Sequence, residues 1–310
     1  MTYQNWQEKL KSELKTDDLS EKHIKLLNGI LYDPFLNPEH IETIEIKLDN
    51  FNGLSIGHAF RLKADEETNQ LIHNLLANDL RVLRIFANST TDWAKILDGV
   101  YPSLIFMDLE FDDIEAFNRF ESYKNTHKDH ENWRLSVSLT TGILENHNPR
   151  YFNVLDYRKF GIENQVSALK ALLEYGKSHS DKCLKLRIDI GENLLESIPY
   201  VRAINSIMDE HCLNTQFMLE ANHHLKSHDS SIEVQLIRAG SIAMWSAMAG
   251  VNQLYFDEIK DTKDYEYARL ILNIQNLMSL ESHMDGIQDP LFGSYIIEDL
   301  TQKLLAEAYK

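Results

Sequence analysis

The chain has 310 residues, 43% of them apolar, and a formal charge of −17. That charge argues against a broad nucleic-acid or anionic-membrane surface, because phosphate binding needs clustered Lys and Arg. Two cysteines, Cys183 and Cys212, and no C-x-x-C pair exclude a disulfide framework and a zinc or redox motif of that type.

The N-terminus, MTYQNWQEKLKSELK, is polar with helical spacing and lacks the apolar core of a secretory signal. It opens an arm over residues 1–40 that ends in LYDPFLNPEH, where two prolines stop any helix. Strands are then expected at IEIKL (44–48), LRVLRIFA (80–87), LIFMDLE (104–110) and RLSVSL (134–139). Four more follow at FNVLDY (152–157), CLKLRIDI (183–190), TQFMLEA (215–221) and NQLYFDE (252–258). Several are continuous apolar runs, as in parallel strands buried on both faces. Helical spacing lies between them: Val166, Leu169, Leu172 and Leu173 share one face, and Leu194, Ile198, Val201 and Met208 another. Tyr267, Leu270, Ile271, Ile274, Leu277 and Met278 are expected to form the core stripe of the last barrel helix. The longest weakly polar run, AGSIAMWSAMAGV, is too short to span a bilayer. A soluble protein of the reducing cytoplasm is expected.

Eight strands separated mostly by helices predict an α/β fold, a (β/α)₈ TIM-type barrel over residues 41–310, with a doubly wound open sheet as the next choice. TTGILENHNPRY, between the fourth and fifth strands, has turn composition, so the fourth barrel helix is expected to be reduced. A helix closes the chain after a Gly/Pro-rich loop.

A barrel places Asp108, Glu110, Asp156, Asp189, Glu220 and Asp257 at or near the C-terminal strand ends, where barrel enzymes keep their chemistry. Paired carboxylates there could act as acid and base or hold a divalent cation. The plainer account is that they cap helix N-termini or are solvated. His223, His224 and His228 look like a metal cluster, but adjacent histidines on a strand end point to opposite faces, and loop solvation is the default. Cys183 and Cys212 read as structural thiols. Gly191, after a strand, is a weak candidate for a phosphate-binding turn because Glu192 would repel phosphate. Arg81, Arg84, Arg134, Arg158 and Arg187 stand out. Arg84 and Arg187 lie inside strands, where an unpaired charge is costly, so partners such as Asp108, Asp156 or Asp189 are expected. An arginine–carboxylate network along the barrel axis follows as a hypothesis, and an open apolar tunnel there would refute it.

One segment is denser in fixed polar positions than any other. Arg269, Asn273, Gln275, Glu281 and Ser282 are followed by Asp289, Pro290, Gly293, Ser294, Tyr295, Glu298, Leu300 and Thr301. The pattern resembles the segment that closes the barrel of methylmalonyl-CoA mutases. Weaker similarity covers NWQEKLKSELK with LNGILYDPF, and ADEETNQLIHNLLANDLRVLRIF, which has Asn69 at the family's recurring Asn. The resemblance implies a barrel that binds acyl-CoA along its axis and a separate domain carrying cobalamin.

Departures from the family pattern all remove chemistry. The cobalt-ligating D-x-H-x-x-G is missing, and none of the thirteen histidines has those neighbours. LDNFNGLSIGHAF stands where the family has its substrate tyrosine and Arg-Pro-Trp. LDYRKFGIE keeps Tyr157 and Gly161 of G-Y-H-x-x-E-A-G without the histidine, and EANHHLKSHDSS replaces a T-S-G stretch. The pattern resembles the non-catalytic small subunit of heterodimeric methylmalonyl-CoA mutases, in a shortened form that stops at LLAEAYK before a cobalamin domain would begin.

That resemblance implies no catalytic, cofactor-binding or metal-binding residue in this chain. It implies a catalytic large subunit as partner, carrying adenosylcobalamin and interconverting succinyl-CoA and methylmalonyl-CoA. The alternatives are a free-standing acyl-CoA-binding or acid/base barrel enzyme using the acidic rim, and a homo-oligomeric scaffold.

Overall fold

In the computed structural model the described residues are 3–19, 23–33, 36, 55–61, 66–140, 151–178, 183–212, 215–224, 231–257, 265–284 and 289–310; backbone alone is described for 3, 55–61, 66, 67 and 257. Helix α1 (Tyr3–Leu14) is followed by a short antiparallel hairpin, β1 (Ile24–Lys25) and β2 (Leu31–Tyr32). Gly29 turns the hairpin at φ +84°, a conformation a side chain would strain. Three apolar residues of the hairpin, Leu26, Ile30 and Tyr32, join the main core.

Eight strands form one sheet: β3 (Ser55–Arg61), β4 (Val82–Ala87), β5 (Phe106–Phe111), β6 (Arg134–Leu139), β7 (Asn153–Asp156), β8 (Cys183–Asp189), β9 (Gln216–His224) and β10 (Gln253–Asp257). Their order is β6-β5-β4-β3-β10-β9-β8-β7, and each pair in that ladder is parallel. The two terminal strands also meet, through an isolated parallel bridge between Ser136 and Phe152. There the Phe152 N–H donates to the Leu135 carbonyl at 3.2 Å.

The described connections between strands carry helices, α2 (Glu66–Leu76), α3 (Trp93–Ile96), α4 (Ile114–Lys124), α5 (Gln165–Ser178), α6 (Leu194–His211) and α7 (Ile232–Ala249), and α8 (Tyr265–Asn276) and α9 (Tyr295–Tyr309) follow β10. Asp92, Asp113 and Asn193 cap α3, α4 and α6 by accepting from backbone N–H groups of the first turn. Alternating strand residues pack outward against these helices. Leu83, Ile85, Met107, Leu109, Leu135 and Val137 meet α2–α4 in one cluster. Leu184, Leu186, Ile188, Leu219, Ala221 and Leu254 meet α5–α7 and α9 in another. Each such Leu, Ile, Val or Met side chain taken fully from water contributes about 1.5–3 kcal/mol.

Seven of the eight sheet strands match expected ones, with ends that shift by a few residues. The first does not: β3 is Ser55–Arg61, whereas the expected IEIKL (44–48) lies outside the described residues. SIGHAFR, with a Gly, an Ala and a Ser, lacks the β-branched run that marks a buried strand. The segment expected to hold a reduced fourth helix, residues 141–150, also lies outside the described residues. The stripe on α8 is corrected at its end. A π-helical turn, Leu277–Glu281, inserts a wider hydrogen-bond step, and Leu277 is 43% exposed rather than core.

Candidate functional site

Side chains two apart on a strand share a face, and here the shared inner face is charged. The register sets Arg84 beside Asp108, Asp108 beside Ser136, and Arg187 beside Glu220. Arg84 Nε donates to Asp108 Oδ2 at 2.8 Å and Nη1 to Asn222 Oδ1 at 2.9 Å, while Nη2 pairs with Glu220. Arg187 reaches Asp108 Oδ1 at 2.6 Å, Glu220 Oε2 at 3.3 Å and Glu110 Oε2 at 3.3 Å. Lys185 Nζ lies between the same acids, 2.9 Å from Asp108 Oδ2 and 2.7 Å from Glu220 Oε2. Ser136 donates to Asp108, and Ser138 Oγ accepts from Arg187 at 3.0 Å. The Tyr255 ring lies 4.2 Å from the Arg84 guanidinium carbon, a cation–π contact.

Arg84, Lys185 and Arg187 thus face Asp108, Glu110 and Glu220, and all six are buried. Moving any one of these ions from water is costly, and mutual pairing is what keeps them charged. Burial would raise the Asp108 carboxyl, but Arg187, Lys185 and Arg84 hold it well below the usual carboxylate range. The same contest, won chiefly by Arg84 and Lys185, holds Glu220 at about 2. Lys185 goes the other way: burial, with Arg187 and Arg84 alongside, lowers its ammonium despite Asp108 and Glu220. Burial and the Asp108 charge push the Tyr255 phenol well above its ordinary value. Below this layer the inner face is apolar, with Val82, Phe106, Phe152 and Tyr255 packed together.

The six expected rim carboxylates separate into three groups. Asp108 and Glu220, with Glu110 above them, belong to the interior network. Asp156 is exposed and bound twice by Arg158 Nε, at 2.8 and 3.0 Å. Partial burial would raise the Asp156 carboxyl, yet Arg158 and, more weakly, Arg187 lower it. Asp189 has its Oδ1 3.3 Å from His224 Nε2. Asp257 ends β10 opposite His224 in the register. So Arg84 and Arg187 find Asp108 as expected, but Asp156 and Asp189 take other partners.

Among the described residues no group of three or more His, Cys, Asp or Glu could hold a metal ion. His223 departs from the expected solvated loop: it is buried, its Nδ1 lies 2.9 Å from the Ile190 carbonyl, and its ring meets Phe256 edge-on. His224 points the other way and its side chain is 60% exposed; His228 lies outside the described residues. The Gly191 N–H donates to Ser197 Oγ at 3.2 Å, which occupies the backbone donor a phosphate turn would use. Both cysteines are half-buried thiols outside any disulfide. A polar cleft of about 360 Å³, lined by Glu121, Lys124, His130, Trp133 and Tyr151, lies at the N-terminal end of β6. Its buried Lys124 is already held by both Glu121 oxygens at 2.9 Å and by the Tyr151 hydroxyl.

The closing segment has a structural role that depends on a residue its pattern does not contain. Arg202, 1% exposed in the middle of α6, pairs with Asp289 and, at 2.9 Å, with Glu298 Oε1. Glu298 also accepts from the Gly293 N–H at 3.0 Å. The D-P-x-x-G-S-Y-x-x-E spacing therefore brings two carboxylates and a turn amide to one guanidinium. Asn69 is structural as well, its amide donating to the Ile96 and Asp98 carbonyls at 2.9 Å each.

The molecule is an α/β protein whose parallel sheet carries a self-neutralised ionic layer on its inner face, and whose C-terminal loop is fastened to α6. Residues 183–310 match the family described as methylmalonyl-CoA mutase. A stretch of 80 residues is 39% identical to the methylmalonyl-CoA mutase small subunit of Porphyromonas gingivalis, covering 25% of this chain and 13% of that subunit. In residues 183–310 the chain is similar to the methylmalonyl-CoA mutase family, and in an 80-residue stretch to a small subunit of that family. Among solved structures, the dihydropteroate synthase of Yersinia pestis aligns with 11% identity and a TM-score of 0.40, over 84% of this chain and 99% of that one. The Thermus thermophilus dihydropteroate synthase aligns with 14% identity and a TM-score of 0.40, over 74% and 96%. Among the described residues no helix is long and apolar enough to cross a membrane.

Proposed function

We propose that this chain is a non-catalytic subunit of the cytoplasm. In this reading it binds and stabilises a cobalamin-dependent catalytic subunit that interconverts succinyl-CoA and methylmalonyl-CoA. The observation that carries the reading is the interior layer of Arg84, Asp108, Lys185, Arg187 and Glu220. In the family an acyl-CoA lies along the barrel axis; here paired charges occupy the inner face of the sheet. We infer that the sheet closes as a (β/α)₈ barrel over residues 41–310, with 1–40 as an arm, and the Ser136–Phe152 bridge supports closure.

The interior residues do not fit a cobalamin. Its cobalt would need an accessible imidazole, and on the described inner face the nitrogen and carboxylate groups of the layer are paired with one another. The adenosylcobalamin of the complex belongs, in this reading, to the partner, where it supplies the radical that rearranges the carbon skeleton. A subunit that binds only the folded partner raises that partner's stability by mass action.

The test is co-purification with the catalytic large subunit, followed by thermal unfolding of that subunit with and without this chain. A complex with a raised unfolding temperature is expected, together with no mutase turnover by this chain alone. Turnover of methylmalonyl-CoA by the lone chain would overturn the proposal. Stabilisation of the lone chain by CoA esters, or by Mg²⁺ or Mn²⁺, would favour an independent barrel enzyme using the rim.

A further inference from the structure

Helix α7 buries one face and carries an apolar stripe on the other. Ala239, Ile242, Ala243, Trp245 and Ser246 pack inward. Val234, Ile237, Ser241 and Met244, at helical spacing, form the outer stripe, with Ile237 70% exposed. Between Ile232 and Ala249 only Glu233 and Arg238 are charged, in a chain where a quarter of residues are. Gly240 sits in the same stripe, and a Cβ added there would meet nothing within 4 Å. Helix α7 packs beside α8 and its π-helical turn, which exposes two more leucines, Leu277 and Leu280. Apolar surface gathered on neighbouring elements in this way marks an interaction site.

The surrounding charge says what can cover it. Among the described residues, Glu192, Glu233, Glu266 and Glu281 edge the two helices against two arginines, Arg238 and Arg269, whose pairing with Glu192 and Glu266 leaves Glu233 and Glu281 as the excess acids. Arg238 lies 3.6 Å from Glu192, and Arg269 is 2.7 Å from Glu266. A two-fold contact between copies of this chain would set that acidic edge against itself, within molecules that each carry −17. We propose that the α7 stripe, with Leu277 and Leu280, docks a protein surface that has an apolar centre edged by lysines and arginines. Resting on the function proposed above, that surface belongs to the catalytic subunit.

The test measures binding of the intact chain to the large subunit encoded in the same genome, at low and at raised NaCl. Ile237→Arg is expected to weaken binding at least tenfold by placing a charge at the apolar centre. Gly240→Arg is expected to do the same with the unfolding temperature of the chain unchanged, because its side chain enters open space. Salt is expected to weaken the native complex, as acidic and basic edges are screened. If both variants bind as tightly as the native chain, docking is through another face and this inference fails while the subunit reading stands. If the native chain does not bind the large subunit, both fail together. Light scattering that shows the native chain dimerising, and Ile237→Arg abolishing the dimer, would overturn the choice of partner.

Discussion

Two arginine-centred assemblies hold this molecule, one on the inner face of the sheet and one between helices. In the sheet, three cations share three carboxylates, and Asp108 and Glu220 are each reached by all three. Between α6 and the C-terminal loop, one guanidinium holds both Asp289 and Glu298. The difference is redundancy of a particular kind. Within the sheet the removal of an acid strands several cations, whereas removal of Lys185 leaves Asp108 and Glu220 with two arginines each. At the loop, both acids depend on the same arginine, so its removal is felt at two places at once.

The largest effect is expected from Asp108→Ala, which deprives Arg84, Lys185 and Arg187 of a shared partner. Breaking a buried pair costs about 3–5 kcal/mol, so urea unfolding should show a loss at or above that range, or no folded protein. Arg202→Leu comes next, at about 2–3 kcal/mol, since Glu298 loses the guanidinium but keeps the Gly293 N–H. Thermal unfolding would rank the two, and equal losses would erase the distinction between sheet and loop.

Acid gives an intermediate effect. Glu220 is held at about 2 in the fold against an ordinary value of 4.5. A depressed carboxyl contributes stability that is complete above the unfolded value and is lost as pH falls towards the folded one. The urea midpoint should therefore fall between about pH 4.5 and 2, and Glu220→Gln should make that fall shallower. An unchanged acid slope in Glu220→Gln would place the acid-sensitive contact elsewhere.

The smallest effect is expected from Lys185→Met. Burial and the two arginines lower its ammonium, so its attraction to Asp108 and Glu220 does not offset the cost of holding it charged. Replacing it with an apolar side chain of similar length should change stability by about 1 kcal/mol or less. A loss as large as that of Asp108→Ala would show that the layer depends on all its cations equally.

The inner layer is partly legible in the sequence. Arg84 and Arg187 within apolar strands demand partners, and Asp108 is one that both of them find. Lys185 carries the same signal, since it stands two residues before Arg187 and so shares its face. Glu220 reads as a rim acid because a strand's depth cannot be told without its register. Arg202 is hidden when its helix, NLLESIPYVRAINSIMDE, is read for its apolar face alone. The signal there is a cation amid residues that otherwise bury, with two acids waiting in the closing motif. His223 escapes for a related reason: β9 runs on to His224, past the expected end at 221, and carries the first histidine into the packed region.

The hairpin at the start of the chain has a consequence for how the protein is made. The Leu27 amide donates to Glu196 across 169 residues, Asn28 to Gln165 across 137, and Lys303 donates to the Leu31 carbonyl across 272. Contacts this distant in sequence delay folding. At ribosomal speeds of about 5–20 residues per second, the hairpin waits roughly 14–54 s for α9 to be synthesised. Leu26, Ile30 and Tyr32 find part of their seat earlier, on α5 and α6, and that seat is completed only when α9 arrives.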